Sequence, residues 1–351
     1  MWRDALTRLF PALASFDCYV VGGAVRDLLL DRPPADVDVA CLDPLAAAQS
    51  LGRKVIRLGD QEHLSAYRVV LPEHIYDFAA LLDGDIDADL ARRDFTINAM
   101  AVDLATDTLL DPHGGQRDLR ARVVRMVKPE NFDDDPLRTL KGVRMAVKYD
   151  MTLDETTVEA IRARAAKITE VAAERVMYEL SVIFSANAFR KAVELLQETG
   201  LDAPLGFRTR TFHADDVSLA GAFALLLDDP RAHAKRWRWS EALLRDVLTL
   251  QQLVDHHDRI ALYDAGEPLA RELAAVLRAL GRDDTLDLPD FSIRALLTGN
   301  EIAALTGLEP GAELGRIKRT LLEAQILGHV ATREDAERFV CGVRRRQSPL
   351  S

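Results

Sequence analysis

Cysteine is scarce in this chain: three among 351 residues, Cys18, Cys41 and Cys341, odd in number and widely spaced. That excludes a disulfide framework and offers no ligand spacing for zinc, which leaves small buried thiols as the reading. No apolar run is long enough to span a bilayer, so no membrane contact is expected. The opening MWRDALTRLFPALASF reads as an amphipathic helix with interspersed charge, not as a secretory leader, and the cytoplasm is the expected location. Positive charge is also short, since 45 Lys and Arg against 56 Asp and Glu leave a net charge of -11. Such a balance argues against indiscriminate binding to nucleic acid. Local basic stretches remain at residues 120–128, 231–238 and 344–346, each equally readable as a solvated helix face.

What is present is ordinary globular composition, 48% hydrophobic and 29% charged, in a chain too long for one compact core. The first third mixes β-rich runs at residues 18–21, 36–41, 67–71 and 75–79 with helical patterns. After about Asp133 the pattern is helix after helix, with Pro- and Gly-containing breaks near residues 202–208 and 286–291. The expected architecture is α+β: a head over 1–132 with a mixed β-sheet and helices, then all-α domains over 133–204, 205–288 and 289–351.

The chemistry gathers in YVVGGAVRDLLLDRPPADVDVA, residues 19–40. Alternate residues of a strand share a face, so Asp36 and Asp38 can hold metal ions together. Gly22 and Gly23, with no side chains, let backbone N–H groups approach an anion at the start of the next helix. A phosphate site beside a metal site is what nucleotidyl transfer requires. The bland alternative is a solvated surface pair of acids, against which Val37 and Val39 alternate with the aspartates as in a strand with one buried face.

Further along, HIYDFAA sets Asp77 among apolar residues, where a carboxylate needs a metal or hydroxyl partner unless it is an edge-strand acid facing water. In ARRDFTINAMA, Arg92 and Arg93 can bind phosphate oxygens and Asn98 a sugar. DPHGG at 111–115 makes a tight turn with a structural role at least as plausible as a functional one. In FDDDPLRTLKGVRMAVKYD, Pro136 fits a first helical turn, and Asp135, Arg138, Lys141 and Arg144 follow along one face. Without the upstream motifs, Asp135 and Arg138 would be read as a surface salt bridge. His256, His257 and Asp258 look like adjacent surface residues on a helix, not an appended metal phosphohydrolase.

Taken in order, GGAVRD with DVDVA, RRDFTINAMA, DPHGG, DDPLR and AERVMYEL closely resemble the class II CCA-adding tRNA nucleotidyltransferases. That superfamily also contains bacterial poly(A) polymerases and the separate CC-adding and A-adding enzymes. The resemblance covers about the first half of the chain, and the later LTGNEIAALTGLEPG looks like the family's tail. It implies that the helical segments are neck, body and tail, which together hold the acceptor and TΨC arms of tRNA by backbone and shape contacts. It implies two Mg²⁺ ions on Asp36 and Asp38, while Asp77, where the family usually has Glu, helps activate the attacking 3′-hydroxyl. Gly23, Arg26 and Arg93 match positions contacting the nucleotide and its triphosphate; Asp135 and Arg138 match the pair that reads the incoming base, with Arg144 in support.

The physics of such a pair is simple: a carboxylate accepts from an exocyclic amine, and a guanidinium donates to a ring nitrogen. Cytosine and adenine offer both partners, whereas uracil and guanine frustrate both at about 1 to 3 kcal/mol per buried unpaired group. The chain departs from the family pattern at Asp31 (usually Gly), Asp134 (usually Glu) and Lys141 (usually Arg), and Lys lacks the planar fork of Arg. Only sixteen positions separate Asp77 from Arg93, where most CCA-adding relatives carry a longer flexible loop that switches the pocket from C to A. The resemblance therefore implies a CC-adding enzyme using CTP, with a separate A-adding enzyme completing the end. Full CCA addition with CTP and ATP is the alternative, and poly(A) synthesis the second. A non-catalytic RNA-binding protein of the same fold is disfavoured by the intact acidic set.

Overall fold

The computed structural model describes residues 12–13, 15–34, 36–58, 66–72, 74–208 and 210–347, with side chains as far as residue 343. The described chain forms two compact units, one over residues up to 186 with 191–207, the other over 187–190 with the residues from 208 onward.

The first unit is α+β. Its main sheet has seven described strands, β1 (Cys18–Val21), β2 (Asp36–Cys41), β3 (Val55–Leu58), β4 (Ala66–Val70), β5 (Ile75–Ala80), β6 (Ala101–Asp103) and β7 (Thr108–Leu110), beside a small parallel pair, Val123–Val124 with Thr152–Leu153. The seven lie in the order β3-β4-β5-β2-β1-β6-β7. Among them β2 and β5 run parallel while the other pairings are antiparallel, so the sheet is mixed.

Alternation along β2 decides its two faces. Val37, Val39 and Cys41 pack with Val20, Val69, Tyr76, Phe78 and Val102 into a core against the helices Gly23–Leu29, here α1, and Pro44–Ser50. Asp36 and Asp38 therefore emerge on the opposite face. Shifting the strand by one residue would bury both acids and expose both valines.

The sheet decides between the two readings of Asp77 and bears out the buried reading of two of the three thiols. β5 lies between β4 and β2, so Asp77 is on an interior strand and is no edge acid. Cys18 and Cys41, remote in sequence, are cross-strand partners, both 1% exposed; a hydrogen bond from Cys18, then burial, pushes the Cys41 thiol up.

Beyond the sheet, helix α2 (Ile86–Ala91) is followed by α3 (Gly115–Ala121), α4 (Leu137–Lys148) and α5 (Ala173–Phe184). The DPHGG turn starts α3: Asp111 accepts from the backbone N–H of Gly115 at 2.6 Å and of Gln116 at 3.0 Å. Asp31 takes a positive φ of 54°, a conformation an Asp tolerates and a Gly adopts freely.

The described remainder of the second unit is helical. One core joins Leu250, Leu253, Leu262, Leu273 and Leu277, and another joins Ile302, Ile317, Leu321 and Val340. His256 closes the helix Glu241–Asp255 and Asp258 caps the next, so the His-His-Asp run occupies a loop between helices, correcting the helical reading. No described helix is long and apolar enough to cross a membrane.

Candidate active site

The carboxylates of the polar sheet face are ordered by strand register. Asp38 is the Cα partner of Asp77 across the parallel pair, and Asp77 is the partner of Arg68 across the next antiparallel pair. Partners in register share a face, so Asp38, Asp77 and Arg68 form a row, with Asp36 two residues from Asp38. Burial raises the pKa of Asp38, Arg93 pulls it down, and the charges of Asp77 and Asp36 push it further up. This happens although the side chain is open to solvent at its outer edge. Carboxylates crowded in this way are relieved by a cation.

Asp77 is held differently. Arg68 donates from Nε to Oδ1 at 2.8 Å and from Nη2 to Oδ2 at 2.7 Å, a planar bidentate pair. Among the described residues no three Asp, Glu, His or Cys side chains are gathered closely enough to hold one ion. The all-oxygen donors of Asp36 and Asp38 fit a hard divalent cation. Asp77 is engaged elsewhere.

Beside the acids, β1 runs into Gly22, whose φ of 74° is left-handed, and then into α1. A Cβ on Gly22 would lie 2.8 Å from Nη1 of Arg93, so the close approach of that guanidinium requires glycine here. Arg93 is aimed by Asp89, a carboxylate 2% exposed. Its Oδ2 accepts from Nε and Nη2 of Arg93 at 3.2 and 2.8 Å, and its Oδ1 accepts from Arg92 at 3.2 and 2.9 Å. Burial would raise the pKa of Asp89, but the attraction and hydrogen bonds of Arg93 and Arg92 overcome it and hold it below the usual range.

Of these groups Gly22, Asp36, Asp38 and Arg93 line a cleft of about 440 Å³, whereas Asp77, Arg68 and Asp89 do not. The cleft brings Gly22, Gly23, Arg26, Asp36, Asp38, Arg93, Asn98, Lys141 and Arg144 to one place, along with Asp27, Asp94 and Met145. Arg26 is 6% exposed and committed to protein: Nη1 donates to Oδ1 of Asn98 at 2.6 Å and Nη2 to the hydroxyl of Tyr149 at 2.6 Å. Asn98 in turn donates to Asp94 at 3.0 Å. Arg144 forms an ion pair of 2.5 Å with Glu179 from α5; burial nevertheless keeps the Glu179 pKa raised, against the pull of Arg144 and Lys141.

Asp135 and Arg138 do not line that cleft. Asp135 accepts from Nη2 of Arg175 at 2.9 Å, and Arg138 donates to the carbonyls of Arg92 at 2.8 Å and Asn131 at 3.0 Å. Arg138 faces a neighbouring cavity of about 220 Å³ with Asp89, Arg92 and Arg93, so Arg93 is common to both spaces. A larger cavity, about 650 Å³, lies in the second unit among Arg245, His256 and Asp264. It has neither a Gly-Gly turn nor the paired carboxylates, so size alone does not make it the reactive site.

Sequence reasoning passed over Arg68, Asp89, Asp94, Arg175 and Glu179. Asp89 had a signal, because Arg92 and Arg93 stand three and four residues after it at helical ion-pair spacing. Asp94 had one too, standing four residues before its partner Asn98, whereas Arg68, Arg175 and Glu179 had none, since their partners are set by strand register or helix packing. The basic stretch 120–128 is largely spoken for: Arg125 pairs with Asp118 and Asp154, and Arg122 with backbone carbonyls of Tyr149 and Asp150. In 231–238, Arg236 lies 4.8 Å over the Trp237 ring, while the side chains of 344–346 lie outside the described residues.

Residues 18–82 and 61–125 match the poly A polymerase head domain, and 150–205 match a probable RNA and SrmB-binding site of polymerase A. A CC-adding tRNA nucleotidyltransferase of Thermus thermophilus is 30% identical, over 94% of this chain and 94% of that one. An A-adding tRNA nucleotidyltransferase of Deinococcus radiodurans is 30% identical over 92% of this chain and 94% of its own. The solved CCA-adding enzyme of Bacillus stearothermophilus, in complex with CTP, shares the fold at a TM-score of 0.77, with 23% identity over 99% of this chain and 98% of that one.

Proposed function

This chain belongs to the family of CC- and CCA-adding tRNA nucleotidyltransferases and is an RNA nucleotidyltransferase, and from that premise we propose that it adds C residues to the 3′ end of tRNA from CTP. The single observation carrying this reading is the juxtaposition of Asp36 and Asp38 with the Gly22-Gly23 turn and Arg93 around one cleft.

In this mechanism the tRNA 3′-hydroxyl attacks the α-phosphate of CTP in line and pyrophosphate leaves. Asp36 and Asp38 would hold divalent cation, Mg²⁺ in this proposal, which would supply charge stabilisation for the attacking and leaving oxygens. Asp77 orients the hydroxyl. The backbone N–H groups at Gly22 and Gly23 and the fork of Arg93 bind the triphosphate, with Asp89 fixing that fork. Arg26 acts by fixing Asn98, which faces the ribose, and Lys141 and Arg144 add positive charge to the cleft.

Asp135 and Arg138 read the base. A carboxylate has about four lone-pair sites, so Asp135 can accept the cytosine amine while Arg175 still holds it. Arg138 has five N–H donors, and the two carbonyls engage only Nη1. The CC preference is supported by the connection after β5. The 3₁₀ turn Leu82–Gly84 and helix α2 occupy most of it, leaving little chain to act as a moving lever.

Two assays test the reading. Asp38→Ala should abolish nucleotide incorporation while leaving the folded content unchanged; incorporation that survives overturns the enzyme site. For specificity, tRNAs ending at the discriminator base, in C, or in CC are offered CTP or ATP separately. Two C additions and no A support the proposal. Efficient A addition to the CC-ended tRNA overturns it in favour of CCA or A addition, and continued A addition favours poly(A) synthesis.

A further inference from the structure

An arginine in the middle of β4 is unexpected beside a cation site, because its charge opposes the cation. Arg68 stands there on the same face as the acids, in register with Asp77 and through it with Asp38. Both carboxylate oxygens of Asp77 are taken by the planar fork, at 2.8 and 2.7 Å. The pair is partly shielded, with 37% of the Arg68 side chain and 21% of the Asp77 side chain exposed.

We infer that Arg68 is a positioning residue that clamps Asp77 out of the cation's reach, so that the third acidic group joins the site only when the pair opens. This rests on the reading of Asp36 and Asp38 as the cation site. To ligate the ion Asp77 must turn its carboxylate from Arg68 toward Asp36 and Asp38, and a bidentate guanidinium, with an N–H at each oxygen, fixes the carboxylate against that turn. The absence of a gathered three-carboxylate set among the described residues is the expected consequence. Arg68 thereby raises the cation concentration at which the full site assembles.

The clamp is separable from a simple field effect. Lys keeps the charge but lacks the fork, so a field effect predicts that Arg68→Lys resembles the wild type, whereas the clamp predicts that it resembles Arg68→Met. The probe is Mn²⁺ alone, without nucleotide or tRNA, its free concentration followed by electron paramagnetic resonance on the full chain.

Both Arg68→Met and Arg68→Lys should tighten Mn²⁺ binding about threefold to tenfold, the range a partly exposed bidentate pair releases. In an Asp77→Asn background the same changes should have no effect, an outcome that a merely structural cross-strand pair would not give. Thermal unfolding of each variant establishes that it is folded, and Arg68→Gln replaces any that is not. Unchanged or weaker binding in the folded variants overturns the clamp. If neither the wild type nor any variant binds Mn²⁺ at millimolar concentration, the carboxylate reading itself falls, a distinguishable result.

Discussion

Asp89→Asn is the most informative single change in the first unit. The wild-type carboxylate is 2% exposed and accepts four N–H groups, two from Arg92 and two from Arg93. Asparagine keeps one acceptor oxygen and turns an N–H₂ group toward the other guanidinium, so one fork meets a donor where it had an anion. Breaking one side of a buried ion pair costs about 3 to 5 kcal/mol. Arg92 is half exposed and its share is screened by water, so Arg93, whose side chain is 23% exposed, carries most of that cost. For a unit of this size each kcal/mol moves the melting temperature by about 2 to 4 °C, so a drop of about 6 to 20 °C is expected by circular dichroism. The pH dependence has a definite sign. The folded pKa lies below the ordinary carboxylate range, so the stabilisation is complete above that range and is lost as pH falls through the folded pKa. The gap between wild type and variant should be full at pH 7, begin to narrow below about pH 4 and close only below the folded pKa. Nucleotide affinity should fall in parallel, because the Asp89 carboxylate accepts the two hydrogen bonds that set the Arg93 fork beside Gly22. A melting shift under about 2 °C at pH 7 would refute the claim that Asp89 anchors Arg93.

Gly115→Ala should destabilise the first unit by about 1 to 3 kcal/mol in chemical denaturation, because the new Cβ would lie 2.3 Å from the Thr96 carbonyl oxygen and 2.9 Å from the Met100 side chain. Asp38→Asn should make the cation-free protein more stable at neutral pH, since burial and the nearby Asp77 and Asp36 raise the pKa of the wild-type carboxyl despite Arg93. That gain should be present above the folded pKa and vanish as pH falls below the unfolded one, and urea titrations across pH will show it. In the second unit, Thr298→Ala removes the capping box in which Thr298 and Glu301 bond each other's backbone, at a cost of about 1 kcal/mol, read as a lower urea midpoint.

Much of the first unit was legible because its signals are local. The runs at residues 18–21 and 36–41 are strands with those limits, and the valines between the acids reported which face is buried. The Gly-Gly turn and the acidic pair were readable from backbone freedom and a two-residue period. Arg93 was readable as a phosphate ligand, and its support from Asp89 lay in the spacing. Arg26 shows the opposite case: its place after the turn suggests a ligand contact, but packing sinks it among Asn98, Asp27 and Tyr149.

By itself the sequence determined the α+β class, the family, and which residue types could meet phosphate and cation, because those follow from order and period along the chain. The tertiary structure alone decided that Asp77 lies in register with both Asp38 and Arg68, that Asp135 leans on Arg175, and that Cys18 faces Cys41. Strand register and helix packing join residues through space, where a hydrogen-bond ladder or a packed interface fixes the neighbour. No periodicity along one segment records which residue of another segment it will meet.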